Sequence, residues 1–334
     1  MQKQQEGELT MRKSVHWGII TVMIVALALA AAGQVSAQAK KNPYKDPVKI
    51  AYLPDNIGDT VGAAWGVGIK REFAYFPNIT YQVFDGKLSA ETQNQIMTEL
   101  INQKYDCIIL QAHDAAALAA SAREAEKQGI PVIDLNLDAQ TPHTCLVAMV
   151  DYEAGSLVAQ EIAKGVGDNG NVVIIEAPPG ASRGINVEAG FRDTLKAHPG
   201  VKILAAQDGE WLTEKGNTVM RDFLTKYPKI NAVFAINDAM AEGASQAAAA
   251  AGRKMIIWGA DGEKKALQYI EQGKLTGTIY TNCYDEGATA ARMALYAIGA
   301  EINGSKFTKT PIIKMAPIVV TKDTVASIAE KDRW

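Results

Sequence analysis

Amide and carboxylate side chains follow the short apolar runs of this chain, and their chemistry indicates what they could bind. A carboxylate accepts hydrogen bonds, an amide both donates and accepts, and a hydroxyl group can pair with either. An anion site would instead need a glycine-rich turn at a helix start or several basic side chains. The pattern therefore favours a small neutral ligand rich in hydroxyl groups. The residues include Asp55, Asp59, Gln111, Asn136, Asn237, Asp261 and Asn282.

These side chains do not belong to a recognisable catalytic or metal-binding motif. Asp55 and Asp59 could in principle flank a glycosidic bond as a carboxylate pair. No nucleophile elbow, H-E-x-x-H helix, phosphate loop or dinucleotide fingerprint accompanies them. The three cysteines and four histidines lack the spacing of metal ligands. We expect a binding protein without a metal ion or cofactor, and a carbohydrate-active enzyme is the less favoured alternative.

Two successive rounds of β-rich runs and helix-period segments position these residues. Near-continuous apolar strands between amphipathic helices are typical of parallel sheets covered on both faces. Ligands of such sheets bind beyond the carboxyl ends of the strands, which is where the polar residues lie. The predicted strands are Val48–Leu53, Ile79–Phe84, Cys107–Leu110, Val132–Leu135 and Leu146–Val150 in the first round, Val172–Glu176, Val201–Ala205, Ala232–Ala235, Met255–Trp258 and Leu275–Tyr280 in the second, and Ile318–Thr321 after both.

The amino terminus has the features of an export signal. A basic start at Met11–Lys13 precedes an uncharged apolar run from Trp17 to Ala32 and a small-x-small site, Val35-Ser36-Ala37. The apolar run of about 16 residues is shorter than the roughly 20 of a membrane-spanning helix. We expect cleavage after about Ala37 and a periplasmic mature protein. A retained anchor is the alternative, and no cysteine lies near the cleavage site to support a lipoprotein.

The charge balance disfavours some partners. Lys and Arg number 34 against 37 Asp and Glu, which gives a net charge of −3, and the basic residues are scattered. A weakly acidic chain of this kind is a poor partner for nucleic acid or for an anionic membrane surface. We expect a monomer that binds a small molecule.

Four stretches of the chain can be compared with a known family. They read Y-D-C-I-I-L-Q at Tyr105–Gln111, G-I-P-V-I-D-L-N at Gly129–Asn136, V-F-A-I-N-D-A-M-A-E-G-A at Val233–Ala244 and W-G-A-D-G at Trp258–Gly262. Together they resemble periplasmic sugar-binding proteins of the ribose-binding type, the extracytoplasmic receptors of ATP-driven (ABC) importers. The resemblance covers about residues 47–330.

The resemblance implies roles for individual side chains. Trp211 occupies a place where relatives have an aromatic that stacks on the sugar ring, and Asn282 lies at a crossing that supplies a polar side chain. Asp138 competes with Asn136 for the role that the family gives to this loop. Family positions that hydrogen-bond sugar hydroxyls are occupied here by Gln111, Asn136, Asn237 and Asp261.

Two departures from the family concern the identity of the ligand. The first loop reads D-T-V-G at Asp59–Gly62, where relatives have a proline and paired aromatics. Val187 stands where relatives have a hydroxyl-binding arginine, although Arg183 lies nearby. We therefore expect a ligand other than a standard ribose or hexose pyranose. Asp55, Asp59 and Arg183 complete the predicted site, and one of the two aspartates should be only structural.

Structural roles compete with these assignments. Asn237 could merely cap the helix that follows it, although Asp238 could do so as well. Arg183 could form only a surface ion pair with Glu176. Trp211 could pack between the lobes rather than against a ligand.

The resemblance also implies a mechanism and a partner. Two lobes, joined near Met149–Asp151, Thr281–Tyr284 and Met315–Ile318, would close over the ligand, and an inner-membrane permease would recognise the closed form. A ligand-sensing subunit for a chemoreceptor or sensor kinase is the alternative, because it would use the same cleft. A DNA-binding repressor shares the core but would need a helix-turn-helix where this chain has its export signal.

The expected fold class is α/β, with two Rossmann-like lobes of parallel sheets flanked by helices and a three-strand hinge. We expect an amino-terminal lobe of residues 47–149 plus 284–314 and a carboxy-terminal lobe of residues 150–282 plus 315–334.

Overall fold

The computed structural model describes residues 41–136, 143–167, 169–179, 181–300, 302 and 310–334. The predicted signal peptide, residues 1–37, and Asp138 lie outside the described residues. Within the described ranges, no helix is both long and apolar enough to cross a membrane.

The first round of the sequence builds a parallel sheet. The apolar sequences of its third, fourth and fifth strands are fully buried, as expected for a sheet covered on both faces. The elements are β1 (Val48–Leu53), α1 (Thr60–Phe73), β2 (Ile79–Val83), α2 (Ala90–Asn102), β3 (Cys107–Leu110), α3 (Ala115–Lys127), β4 (Val132–Leu135) and β5 (Cys145–Met149).

The second round repeats this pattern in a second sheet, and three further elements follow it. The repeat comprises α4 (Asp151–Val166), β6 (Gly170–Glu176), α5 (Ser182–Leu195), β7 (Val201–Asp208), α6 (Thr213–Lys226), β8 (Ala232–Ala235), α7 (Asp238–Ala250), β9 (Ile256–Trp258), α8 (Lys264–Glu271) and β10 (Gly277–Tyr280). The further elements are α9 (Cys283–Ala300), β11 (Ile312–Met315) and β12 (Ile318–Thr321). The predicted fold class is confirmed.

The strand order defines a crevice in each sheet. The orders are β11-β5-β4-β3-β1-β2 and β12-β10-β9-β8-β6-β7, and within the described residues all neighbours are parallel except β10 and β12. In each sheet the chain starts in an inner strand, β1 or β6, goes to one side and then returns to the other. Loops therefore diverge at the carboxyl ends of β1 and β3, and of β6 and β8, which opens a binding crevice there.

Within the described residues, the chain passes between the two sheets three times. After β5, helix α4 packs against α5 and the second sheet, and after β10, helix α9 returns to α1 and the first sheet. The third passage joins β11 of the first sheet to β12 of the second. These passages lie at residues 149–151, 280–283 and 315–318.

Glycines allow α9 to pack closely on α1. A Cβ at Gly68 would overlap the carbonyl of Tyr284, and a Cβ at Gly287 would overlap the carbonyl of Trp65. Only glycine permits this approach of two helix backbones. The contact fixes α9, and with it the second passage, to the first sheet.

The sequence analysis does not predict β11. Its residues are alternately exposed and half-buried, and Lys314 interrupts the apolar pattern. An edge strand of four residues lacks the continuous apolar run by which the inner strands are recognised. Pairing with β5 creates this strand.

Candidate ligand-binding cleft

The two aspartates of the first loop have different environments. Asp59 caps α1, because its Oδ2 accepts a hydrogen bond from the Gly62 amide at 2.7 Å. Asp55 Oδ1 is buried without a hydrogen-bond partner among the described residues, and Oδ2 lies 3.9 Å from Nδ1 of His113. Burial, and secondarily the charge of Asp59, raises the pKa of Asp55 to about 6. Asp59 thus has the structural role expected for one of the pair.

Gln111 follows β3, on the opposite side of the crevice from Asp55. The backbone N–H of Gln111 donates a hydrogen bond to the backbone carbonyl of Leu53 at 3.0 Å. Its side-chain Oε1 is buried and has no hydrogen-bond partner within the described part of the chain. The loops on either side of the crevice of the first sheet therefore each hold one buried acceptor that no described group satisfies.

A fully buried glutamine clamps the two loops that carry these acceptors. Gln93 Nε2 donates to the carbonyls of Pro54, at 3.1 Å, and of Gln111, at 2.8 Å. Its Oε1 accepts from the His113 amide at 2.8 Å. The sequence analysis missed Gln93; a signal was present, since this polar residue shares the apolar face of α2 with Met97 and Leu100.

Asn136 lies at the end of β4 in a left-handed conformation, with φ of 67°. Its Oδ1 accepts a hydrogen bond from the Met149 amide at 3.3 Å. The side chain thus ties the end of β4 to the end of β5, next to the first passage between the sheets.

Arg183 joins the site to that same passage. Nη1 donates to Oδ1 of Asp151 at 3.2 Å and lies 2.8 Å from Sδ of Met149, while Nη2 pairs with Oδ1 of Asp261. Burial lowers the pKa of Arg183, but the two carboxylates outweigh it and raise the pKa above its ordinary value. The alternative pairing of Arg183 with Glu176 was wrong, since Glu176 pairs with Arg192.

Asn237 uses its side chain within the protein. Oδ1 caps α7 by accepting from the Met240 amide at 2.9 Å, and Nδ2 donates to the carbonyl of Trp211 at 3.2 Å. The alternative that Asp238 caps this helix was wrong, because the Asp238 carboxylate accepts hydrogen bonds from the amides of Gly262 and Glu263 instead. Trp211 is half-buried with φ of 63°, and its ring edge faces Gly184.

The second passage contains Asn282 and an unexpected contact. Asn282 Oδ1 accepts from the Asp285 amide at 3.1 Å at the start of α9. Next to it, the carbonyl of buried Thr281 accepts from the indole Nε1 of Trp334 at 2.9 Å. No pattern in the sequence predicts that Trp334 reaches this passage.

Carboxyl groups act on one another across the cleft. The pKa of Asp261 is raised to about 7 and that of Glu263 to about 9, mainly by burial, and the charge of Asp59 from the other lobe contributes to both shifts. Burial also raises the pKa of Glu286 to about 8, although its Oε2 accepts from Nε1 of Trp65 at 2.6 Å. Glu263 and Glu286 are therefore mainly protonated at neutral pH. The sequence analysis missed both, together with Asp151.

The charges of this region are unfavourable for an anionic ligand. Asp55 and Asp59 follow β1 in the first sheet and Asp261 follows β9 in the second, while the charge of Arg183 is balanced by Asp151 and Asp261. A neutral ligand with hydroxyl donors would satisfy the orphaned oxygens without adding charge. No group of three or more His, Cys, Asp or Glu suited to a metal ion occurs among the described residues.

The chain matches a family described as "Periplasmic binding protein domain" over residues 50–302. It is 32% identical over 237 residues to a xylitol-binding protein of Mycolicibacterium smegmatis, a match that covers 70% of this chain and 66% of the relative. It is 29% identical over 244 residues to the ribose import binding protein of Bacillus subtilis, covering 73% of this chain and 78% of that one.

A solved structure has the same fold. It is an ABC transporter periplasmic solute binding protein from Actinobacillus succinogenes with bound D-allose. The TM-score is 0.77 and the identity 30%, and the match covers 84% of this chain and 99% of that one.

Proposed function

This chain belongs to the periplasmic binding protein domain family, and from that premise we propose that it captures a small, neutral, polyhydroxylated ligand for an ABC importer. The ligand, a sugar or polyol, binds in the cleft between the two sheets. The observation that carries this proposal is the pair of buried acceptors, Asp55 Oδ1 and Gln111 Oε1, at the crevice of the first sheet.

The ligand satisfies acceptors that the protein leaves open. A buried acceptor without a partner destabilises the protein by about 1–3 kcal/mol, and a hydroxyl donor removes that penalty. The opposite wall offers the carboxylate of Asp261 and the indole of Trp211. A ring or carbon chain with hydroxyls on its edge and C–H groups on its face fits both walls.

Capture uses closure of the lobes around the three passages. Closure excludes water, which strengthens the hydrogen bonds to the right ligand and penalises a ligand that leaves polar groups unpaired. The permease then recognises the closed form. The names of the similar ribose import protein and of the structure with bound D-allose support this use.

Export precedes this function. We propose that residues 1–37 are a cleaved signal peptide and that the mature chain works as a monomer in the periplasm. Mass spectrometry of the exported protein should give an amino terminus near Gln38, and an intact leader would argue for a retained anchor.

A thermal-shift screen tests the ligand class. D-ribose, D-allose, xylitol and myo-inositol are compared with a sugar acid and an amino acid at one concentration, because binding to the folded state raises the melting temperature, and more so for a tighter ligand. We expect stabilisation by at least one neutral compound and none by the sugar acid. Stabilisation by an anion alone would overturn the proposal, and turnover of the bound compound would indicate an enzyme. Small-angle scattering with the best compound should show compaction; an unchanged radius of gyration would rule out closure.

A further inference from the structure

A buried aspartate outside the predicted site contacts the turn that carries Asp261. Asp238, the first residue of α7, is fully buried. Its Oδ2 accepts from the amides of Gly262, at 2.8 Å, and Glu263, at 2.9 Å. Its Oδ1 accepts from Oγ1 of Thr278 at 2.6 Å. The carboxylate thus links α7, the turn after β9 and strand β10.

The backbone of the turn packs closely against the Asp238 carboxylate. A Cβ at Gly259 would overlap Oδ1 of Asp238. Gly262 has φ of 86°, and a Cβ there would lie 2.6 Å from Cα of Tyr280. The Asp261 amide donates to the carbonyl of Ile279 at 2.8 Å. The turn is therefore held on one side by Asp238 and on the other by β10.

Asp261, the residue that precedes the two bonded amides, has an unusual backbone conformation. Asp261 has φ of 150°, outside the range that side-chain-bearing residues ordinarily adopt, and it is 4% exposed. Such a conformation persists only where the surroundings over-determine it. Two hydrogen bonds of Asp238, from the amides of Gly262 and Glu263, supply that constraint directly after Asp261, and the third anchors the carboxylate to β10.

We infer that Asp238 is a positioning residue for ligand capture, which holds the turn so that the Asp261 carboxylate faces Arg183 and the cleft. The inference rests on the proposed function. Asp238 does not contact the ligand itself, because its carboxylate is enclosed by α7, the turn and β10. Helix capping does not account for it, since Asn237 has that role.

Asp238 also affects the charge of Asp261. The groups that face Asp261 are Arg183 on α5, Asp238 on α7, Asp59 on the first loop, Glu263 on the turn and the thiol of Cys283 on α9. Burial is the main cause of the raised pKa of Asp261, Arg183 lowers it, and the charges of Asp238 and Asp59 raise it. Removing the charge of Asp238 should therefore let Asp261 ionise at lower pH.

Two variants separate hydrogen bonding from charge. Asp238→Asn can still accept from both amides and donate to Thr278, whereas Asp238→Ala loses every contact. Asp222→Asn, at an exposed position on α6, is the matched control for charge. Hydrogen exchange of the Gly262 and Glu263 amides reports the turn, and the dissociation constant of the best neutral compound between pH 5 and 9 reports capture.

We expect Asp238→Ala to exchange both amides at least tenfold faster and to bind at least tenfold more weakly at pH 8. Asp238→Asn should keep the amides protected and move the midpoint of the affinity–pH profile below that of the wild type. Asp222→Asn should change neither quantity.

Unchanged amide exchange in Asp238→Ala would overturn the inference, as would faster exchange with wild-type affinity. If Asp238→Ala does not fold, the milder Asp238→Ser variant, whose shorter side chain cannot make the two amide contacts together, takes its place in both measurements, and unchanged amide exchange or wild-type affinity in that variant overturns the inference. Failure of the wild type to bind any neutral compound sinks the proposed function instead, and amide exchange still tests whether Asp238 holds the turn.

Discussion

The two walls of the cleft are built in opposite ways. On the first sheet, Asp55 Oδ1 and Gln111 Oε1 are buried acceptors without a hydrogen-bond partner among the described residues. On the second sheet, Asn237, Asp261 and Arg183 already pair with protein groups. The first wall therefore carries a penalty that a ligand can relieve, and the second wall holds its shape before a ligand arrives.

This difference separates binding from stability. Removing an unsatisfied acceptor should weaken binding without harming the empty protein, because no internal bond is lost. Removing a satisfied group should harm both, because its internal partner is left exposed or unpaired. Variants on the two walls can test whether this distinction holds.

The largest effect is expected for Asp261→Ala. The variant loses an acceptor for the ligand and leaves Arg183 with Asp151 alone, so affinity should fall roughly 100-fold, as expected when a charged hydrogen bond contributes about 1.5–3 kcal/mol. Calorimetric titration with the best neutral compound measures it, with Asp222→Ala as the control. A loss below threefold would remove Asp261 from the site.

Gln111→Leu should have a smaller effect on binding and the opposite effect on stability. Affinity should fall about tenfold, which corresponds to about 1.4 kcal/mol. The melting temperature of the empty protein should stay the same or rise, because the orphaned Oε1 is replaced by an apolar group of similar size. A lower melting temperature would show that Oε1 has a hydrogen-bond partner in the empty protein. The first wall would then be satisfied internally, like the second, and the difference between the walls would not hold.

Asn237→Ala should mainly lower stability. Loss of the cap of α7 should reduce the free energy of unfolding by about 1 kcal/mol, measured by urea denaturation. Asn237→Asp keeps an acceptor for the Met240 amide and is the matched control. If both variants were as stable as the wild type, the second wall would not depend on this cap.

Two further predictions concern the pH dependence of stability. Burial raises the pKa of Glu263 from its ordinary value of 4.5 to about 9, so the folded state holds this proton to higher pH than the unfolded state. Its contribution to stability is fully present below pH 4.5 and is lost as the pH rises towards 9. Glu263→Gln should therefore flatten the decline in unfolding free energy between pH 6.5 and 9.

The corresponding window for the first wall lies lower. The pKa of Asp55 is raised from 3.8 to about 6, so its contribution is lost between about pH 4 and 6. Asp55→Asn should flatten the stability profile in that window and leave the range above pH 6.5 unchanged. Identical profiles for the two variants would show that the walls titrate together.

Much of the architecture could be predicted from local patterns. Strands Val48–Leu53, Cys107–Leu110, Val132–Leu135, Ala232–Ala235 and Ile318–Thr321 have the predicted bounds. Inner strands are recognisable because burial on both faces requires a continuous apolar run. The edge strand β11 was missed because half of its residues face solvent and only pairing defines it.

The site was less predictable, because a residue type does not reveal whether its polar atoms are free. Asn237 and Asp238 are adjacent, and both types cap helices, yet only Asn237 does so here. Asp238 instead accepts hydrogen bonds from a turn 24 residues later. Glu263 and Glu286 look like ordinary surface acids in sequence, and burial by distant segments changes their protonation.

By itself, the amino-acid sequence determined the α/β class, the two rounds of elements and the loops that follow the strands, since periodicity and the succession of elements along the chain are properties of neighbouring residues. Only the tertiary structure decided which side chains in those loops are free. Arg183 meets Asp261 across 78 positions and Trp65 meets Glu286 across 221. The hydrogen bonding and burial of each side chain depend on such distant partners, so they are determined only when the elements of each lobe pack together.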